Sequence, residues 1–456
     1  MESNAILQRF MQKCPIPVMV RALLERVLTA ERLDACFAMA SSKQYTRELL
    51  FSSVFELMSL VVLRSFSSIN AAYQARKDEV GVSIASVYNK LNGIDIGVPA
   101  LVVQQTAQDM AAIIRQLQGE CAPLLPGYRV KIVDGNSLAA SDNRLQVLRQ
   151  QRGGALPGKA LVVYDPQLEM AVDVVPCEDG HAQERSLLGR LRQGVQPGDV
   201  LIMDRHFCVR SHLLALAEQG ACFICRHHQQ LPYDALGPAR SAGTTPSGTL
   251  REQYMQLSTE DGTATKWRCI TLTLNKRTRD GDREIVILTN VPKSAASARS
   301  ISELYGHRWN IETMFQQLEA HLQSEIATLG YPQAALFGFC VALIAYNVLA
   351  VIKGALRRVH GEQTIREQVS GFYLAWEISS TYEAMLTVVE AQAWTSFQTM
   401  TDQRFVNTLL QLARSVLLEK YQKHRRAAKK PSAACSSPKG NHVSTARLLC
   451  KAKNAP

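Results

Sequence analysis

Three carboxylates stand where chemistry is commonly done. Asp134 closes the apolar run "KIVD", Asp204 closes "LIMD", and Glu312 lies in "YGHRWNIETMFQQLE", residues 305–319. In open sheets, functional groups gather at the carboxyl ends of strands, where the loops leave room for a ligand. Two acids there, and a third from a helix laid across the same edge, make an oxygen-ligand set. Mg²⁺ takes one or two carboxylates per ion and completes its octahedron with waters and phosphate oxygens. Two such ions activate a nucleophile and stabilise the leaving oxygen of a phosphodiester. The plainer alternative is that a strand-end aspartate only forms a turn.

The stretch around Glu312 reads as a helix. At about 100° per residue, Tyr305, Arg308, Glu312 and Glu319 fall in a stripe roughly 60° wide. Leu304, Ile311, Phe315, Leu318 and Leu322 form the apolar stripe beside it. A polar stripe tight against the buried face looks into a cleft. The alternative is a solvated border with Arg308 and Glu312 as an ordinary i,i+4 pair.

Other motifs fail on context. "GGALPGKA" (153–160) nearly spells a phosphate-binding loop, but Ala160 replaces the hydroxyl residue, and a strand rather than a helix follows. "CFICRHH" offers Cys222, Cys225, His227 and His228. On a strand the two thiols point to opposite faces, and no second pair stands at zinc spacing. There is no G-x-S-x-G nucleophile elbow.

The elements that must position the acids follow from pattern. Residues 1–122 read as helical, and "GVSIASVYNKLNGI" as a short helix capped by Ser83 and stopped by Gly93, either a packing helix or the second helix of a helix-turn-helix. From 123 to 228 apolar runs alternate with a helical segment, which predicts an α/β sheet with strands at "YRVKIVDGNSL", "KALVVYDPQL", "EMAVDVVPC", "GDVLIMDRHFC" and "ACFICRHH". Residues 229–290 read as a β-rich insertion, with "GPARSAGTTPSGTL" as loop and two antiparallel strands joined at "RDGDR". Residues 291–360 return to the core, 361–418 read as C-terminal helices, and 419–456 as a basic disordered tail.

Bulk composition narrows the class. The chain has 456 residues, 46% hydrophobic and 20% charged, and a net charge of +11. Ten Lys/Arg and no acid lie beyond residue 419, so the rest carries only +1. Any nucleic-acid surface on the body must come from local clustering. Eleven scattered cysteines and no apolar leader suit a reducing cytoplasm. "AALFGFCVALIAYNVLAVI" (334–352) meets the length of a membrane span, but Asn347 inside it and the lack of a second span favour a buried core helix.

With these residues in view, the sequence resembles the DDE transposases of bacterial insertion sequences, of the insertion-sequence-four type. "YGHRWNIE" supplies Tyr305, Arg308 and Glu312 at the spacing of the family signature Y-x2-R-x3-E-x6-K. "VKIVDGNSLAASDNRLQVLR" with "ALPGKALVVYDP" is similar to the first-Asp region, "VLIMDRHF" to the second, and "FGFCVALIAYNVLAVI" to the downstream helix. The likeness covers about 123–352. It implies an RNase H-like core, a mixed sheet with flanking helices, a β-rich insertion, an N-terminal DNA-binding domain over 1–122 and helices at the C-terminus.

It also implies that Asp134, Asp204 and Glu312 bind Mg²⁺, with Mn²⁺ able to substitute, and that Tyr305, Arg308 and Trp309 contact DNA. The implied activity is cleavage at transposon ends and strand transfer into target DNA. The implied partners are terminal inverted repeats, target DNA and a second copy in a synaptic dimer, with no membrane and a cytoplasmic, nucleoid-associated location. The alternatives are an RNase H-like nuclease without strand transfer and a weakened, transposase-derived DNA-binding protein. The signature lysine falls on Glu319, where a carboxylate repels phosphate. Either a nearby Lys or Arg substitutes, or this copy is weakened.

Overall fold

The structure is a computed structural model and describes residues 2–42, 48–150, 153–258, 264–278, 281–424 and 442–453. Its centre is one nine-stranded sheet. The strands are β1 (Arg129–Ser137), β2 (Lys159–Asp165), β3 (Met170–Cys177), β4 (Asp199–Met203), β5 (Cys222–Arg226), β6 (Asp234–Thr245), β7 (Gly248–Ser258), β8 (Ala264–Leu274) and β9 (Glu284–Thr289). They lie in the order β3-β2-β1-β4-β5-β9-β8-β7-β6. β1, β4 and β5 are parallel, β2 and β3 join antiparallel on one side, and β9 joins antiparallel on the other. This is an RNase H-like mixed sheet, with the insertion β6–β9 continuing it rather than forming a separate layer.

Alternation along the strands builds two cores. Val130 and Ile132 of β1 face one, while Val133 joins Leu201, Met203 and Phe223 in the other. Cys225 lies in this second core and Cys222 packs on the first, as a strand pair three apart requires. The first core is the larger. It unites the sheet with the N-terminal helices, among them α1 (Phe51–Val62), α2 (Ile84–Gly93) and α3 (Gly97–Gln116), and with the C-terminal helices. The N-terminal 122 residues therefore share a core with the catalytic-core segment instead of standing apart. Ser83 caps α2 through the backbone N–H of Ser86, in keeping with its sequence.

The stretch at 305–319 is two helices rather than one. α4 (Ala298–Gly306) ends at a turn through His307 and Arg308, and α5 (Trp309–His321) follows. His307 and Arg308 keep right-handed backbone angles, so the polar stripe survives the break. Leu304, Ile311, Leu318 and Leu322 are buried as the apolar stripe predicts.

Two expectations are corrected. "GPARSAGTTPSGTL" is not loop: it forms most of β6 and the start of β7. β6 is an exposed edge strand with two register shifts, and Gly237 and Gly243 stand at φ +95° and +99°. Such bulges twist an edge away from pairing, and the same small residues erase the apolar signal of a strand. Of the tail called disordered, 425–441 and 454–456 lie outside the described residues. Residues 442–453 are ordered: Val443–Ser444 pair with Ala155–Leu156, and Thr445–Lys453 is a helix. Arg447 and Ser444 both engage Asp179, which offsets part of the charge that suggested disorder.

α6 (Pro332–His360) is the one helix among the described residues long and apolar enough to cross a membrane, and its apolar window is wholly buried in the protein. Asn347 within it is fully buried. Its side-chain amide donates to the carbonyl of Ala171 (2.7 Å) and accepts from the Ala171 N–H (2.9 Å). Ala171 belongs to the edge strand β3, beside the shift that leaves Val172 unpaired with β2. One side chain thus satisfies both backbone groups of Ala171 on the open edge strand. Asn347→Leu should cost about 2–4 kcal/mol, the penalty of two unpaired buried backbone groups, measured by urea unfolding; a loss below about 0.5 kcal/mol would contradict this account.

Candidate active site

Parallel register brings the two aspartates together. Val133 of β1 pairs with Met203 of β4, so Asp134 and Asp204 are the next residues on neighbouring strands. Strands in a sheet are about 4.8 Å apart. Asp134 Oδ1 accepts from the Gly135 N–H at 2.9 Å. Asp204 leaves its strand and caps a short 3-10 turn, where Oδ1 accepts from the His206 N–H at 2.7 Å. The Cys225 thiol, from β5, donates to the Asp204 carbonyl at 3.4 Å and fixes the strand end from behind.

The turn between α4 and α5 lays the third acid over this edge. Arg308 Nη1 donates to Asp134 Oδ2 at 3.0 Å and reaches Glu312 Oε1 at 2.8 Å. Asp134 and Glu312, 178 positions apart in the chain, are therefore bound to the same nitrogen. The Arg308 guanidinium sits 5.1 Å from the centre of the Trp309 ring. Trp309 is 62% exposed. Tyr305 is half-buried beside these groups, and burial, against the pull of Arg308 and Arg226, pushes its hydroxyl up to about 12.

The electrostatics show a shortage of positive charge. Burial raises the Asp134 carboxyl to about 7, while Arg308 and the Gly135 N–H pull it down and Asp204 and Glu184 add to the rise. Burial opposes the Arg308 charge, yet Tyr305, Asp134, Glu312 and Asp204 hold it above the ordinary arginine value. Among the described residues no three Asp, Glu, His or Cys side chains converge on one point. The donors are nonetheless all oxygens, at the point where β1 and β4 part and on a facing helix, the chemistry of a hard divalent cation. An added cation would also relieve the strain that lifts Asp134.

Sequence reasoning missed three groups here. Glu184 follows β3 on a 3-10 turn, and its carboxylate rests against Gly135: a Cβ placed there would stand 2.3 Å from Glu184 Oε1. His206 Nδ1 is 3.4 Å from Asp204 Oδ2 and 4.0 Å from Glu184 Oε2. Glu325 accepts from the Ala139 N–H at 2.8 Å and from Asn136 Nδ2 at 3.4 Å, tying the segment after Asp134 to the chain beyond α5. None carries a motif; only the D-x-N spacing of Asp134 and Asn136 marks the region. Glu319 is exposed near the end of α5, and Arg64, from the N-terminal helices, donates to its carbonyl at 2.8 Å.

Residues 125–348 match the family model described as Transposase DDE domain. The chain is 25% identical over 224 residues to the probable transposase for insertion sequence element IS5377 of Geobacillus stearothermophilus, covering 48% of this chain and 55% of that one. It is 26% identical over 197 residues to the y4zB product of Sinorhizobium fredii (strain NBRC 101917 / NGR234), likewise named as a transposase, covering 42% and 52%. The chain spans about half the length of the curated relatives it matches. A cryo-EM structure of the piggyBac transposase synaptic complex with hairpin DNA aligns over 94% of this chain and 90% of that one, at a TM-score of 0.41 and 10% identity.

The raised Asp134 gives a pH prediction. The folded protein keeps this proton to a higher pH than the unfolded chain, so the cation-free fold loses stability as pH climbs from about 4 to about 7. Asp134→Asn removes the penalty. In EDTA at pH 8 the variant should be more stable than wild type, on the order of a few kcal/mol, with the gain fading towards pH 4 in urea titrations. A difference that stays constant across that range would refute the assignment.

Proposed function

From the match of residues 125–348 to the transposase DDE domain we propose that this chain cuts DNA at the ends of an insertion element and joins those ends to target DNA. The observation that carries the reading is Asp134 and Asp204 side by side where β1 and β4 part, with Arg308 bound to both Asp134 and Glu312. Asp134, Asp204 and Glu312 would hold Mg²⁺, or Mn²⁺ in its place. When bound, the ions lower the pKa of water or of a 3′-hydroxyl and offset charge on the leaving oxygen.

The chain's own groups do the rest. The Arg308 guanidinium, at the edge of the cleft beside Asp134 and Glu312, would pair with a phosphate oxygen of the bound strand. Trp309, exposed beside it, offers a face on which a base of the cut strand stacks. Tyr305 stays protonated and donates a hydrogen bond at the edge of the cleft. The recognised partner is double-stranded DNA at terminal inverted repeats, held by two copies of the chain in a synaptic complex.

A second reading, a weakened copy that still binds DNA, is favoured by Glu319 at the signature lysine. Against it, Arg64 places a guanidinium beside that position. In this account Arg64 supplies the positive charge that residue 319 lacks.

A supercoiled plasmid carrying the gene with its native flanks tests both readings. Wild type should nick and cut at the element's ends in Mg²⁺ and not in EDTA, and Asp204→Ala should abolish cleavage while binding end DNA normally. Metal-dependent cleavage retained by Asp204→Ala would remove this site from the reaction. If wild type binds ends without cutting, Glu319→Lys should restore cleavage, and its failure to do so would exclude the weakened-copy explanation.

A further inference from the structure

The cleavage site makes no use of the helix pair at 69–93. The chain there forms a helix, Ile69–Ala75, extended after Arg76 by the turn Lys77–Val80, and then α2. Gly81, Val82 and Ser83 join the two. Gly81 takes φ +68°, a left-handed angle that ends a helix without strain on glycine, and its N–H donates to the Lys77 carbonyl at 3.2 Å. The Tyr73 hydroxyl donates to the Val82 carbonyl at 2.8 Å and ties the turn to the helix before it. Ser83 Oγ accepts from the Ser86 N–H at 3.2 Å and starts the next helix. Ile69, Ala72 and Tyr73 from the first helix and Val87 and Leu91 from the second are buried. Two packed helices joined by a three-residue turn with glycine have the form of a helix-turn-helix.

What α2 leaves outside distinguishes it from a plain packing helix. Ala85, Ser86 and Asn89 are exposed. At about 100° per residue they share one face. All three are small and uncharged, so this face can enter a groove of DNA without bulk or repulsion. Asn pairs with the N6 and N7 edge of adenine, Ser bonds to several bases, and Ala packs on the thymine methyl. The pair is also held beside the catalytic elements. The Gln323 N–H, just beyond α5, donates to the Val62 carbonyl at 2.9 Å, and Arg64 donates to the Glu319 and Leu322 carbonyls at 2.8 and 3.1 Å. Arg144, on the loop after Asp134, is 62% exposed in its side chain. Burial raises the Tyr88 hydroxyl of α2 and the Arg144 charge pulls it down, so this arginine lies within electrostatic reach of the helix. Arg64 and Arg144 are thus two exposed cations near α2, placed for the phosphates that flank a groove.

We propose that residues 69–93 are a helix-turn-helix whose second helix, α2, enters the major groove of the element's end duplex, with Asn89 as a base-reading residue. This rests on the reading of the chain as an enzyme that acts at element ends. It puts sequence recognition on α2 and cleavage where β1 and β4 part, with the segment 62–67 joining the two.

The test is fluorescence anisotropy on the full-length protein in EDTA at one fixed salt concentration. The probes are a labelled duplex of the element's end and a scrambled duplex of the same composition. Wild type, Asn89→Ala and Ala85→Glu are compared, each checked for folding by thermal unfolding. Wild type should prefer the end duplex. Asn89→Ala should bind that duplex about 10-fold more weakly and the scrambled one about as before. Ala85→Glu, which sets a carboxylate on the same face, should also lose the preference. Adenines of the end duplex are then replaced singly by 7-deazaadenine, which lacks the major-groove N7 acceptor. At least one replacement should weaken wild type and leave Asn89→Ala unaffected. A full preference retained by Asn89→Ala or by Ala85→Glu, or no adenine at which wild type and Asn89→Ala differ, would overturn the proposal and leave the cleavage reading standing. If wild type does not distinguish the two duplexes, the reading of end recognition falls and this inference falls with it.

Discussion

One guanidinium holds the site together. Asp134 is half-buried in the central strand β1 where its parallel pairing with β4 ends, and Glu312 arrives from a helix 178 positions later; Arg308 meets both. Without a cation at that point, two acids and the nearby Asp204 would repel one another in a medium poorer than water at screening charge. Arg308 is in place because it lies one helical turn before Glu312, a spacing the helix enforces by itself. What the helix cannot supply is Asp134, which comes from the sheet. The ion pair therefore couples the position of α5 to the edge of β1, and the α4–α5 break at His307–Arg308 gives the arginine its approach.

The sheet is equally dependent on its covering. Parallel strands need both faces buried, and the two cores on either side of β1 and β4 provide this. α6 supplies much of the larger core and uses its single buried amide, Asn347, to close the bulged edge strand at Ala171. At the far side of the sheet β6 is left open, blunted by glycines and register shifts rather than covered. The N-terminal helices pack into the same core as α6, and through Arg64 they reach the end of α5. A change in those helices is thus one step from the helix that carries Glu312.

The same charge balance fixes how these side chains lie. Arg308 occupies the space between Asp134 and Glu312, and burial raises the Asp134 carboxyl to about 7.

Much of this was determined by sequence alone. Short apolar runs ending in Asp134 and Asp204 mark strands whose ends face a common edge, because a buried parallel strand must be apolar throughout and can turn polar only where it leaves the core. The 100° step of a helix put Tyr305, Arg308 and Glu312 on one stripe, and the break within it did not disturb that stripe. Tertiary structure decided the rest. Glu184 opens "ERSLLGRLRQGV", which its sequence marks as helical and which the chain breaks into short 3-10 and α turns, and only the crossing of the chain between β3 and β4 sets it against Gly135. Trp309 is exposed because the turn before α5 points it outward, which its hydrophobicity alone argued against. β6 forms from Gly, Ser and Pro because its neighbour β7 pairs with it, and residues 442–453 order because Asp179 and the backbone of Ala155–Leu156 are waiting. Local spacing encodes what one helix or strand presents on its own face; which distant groups share a point in space is fixed only when the sheet register and the two cores close.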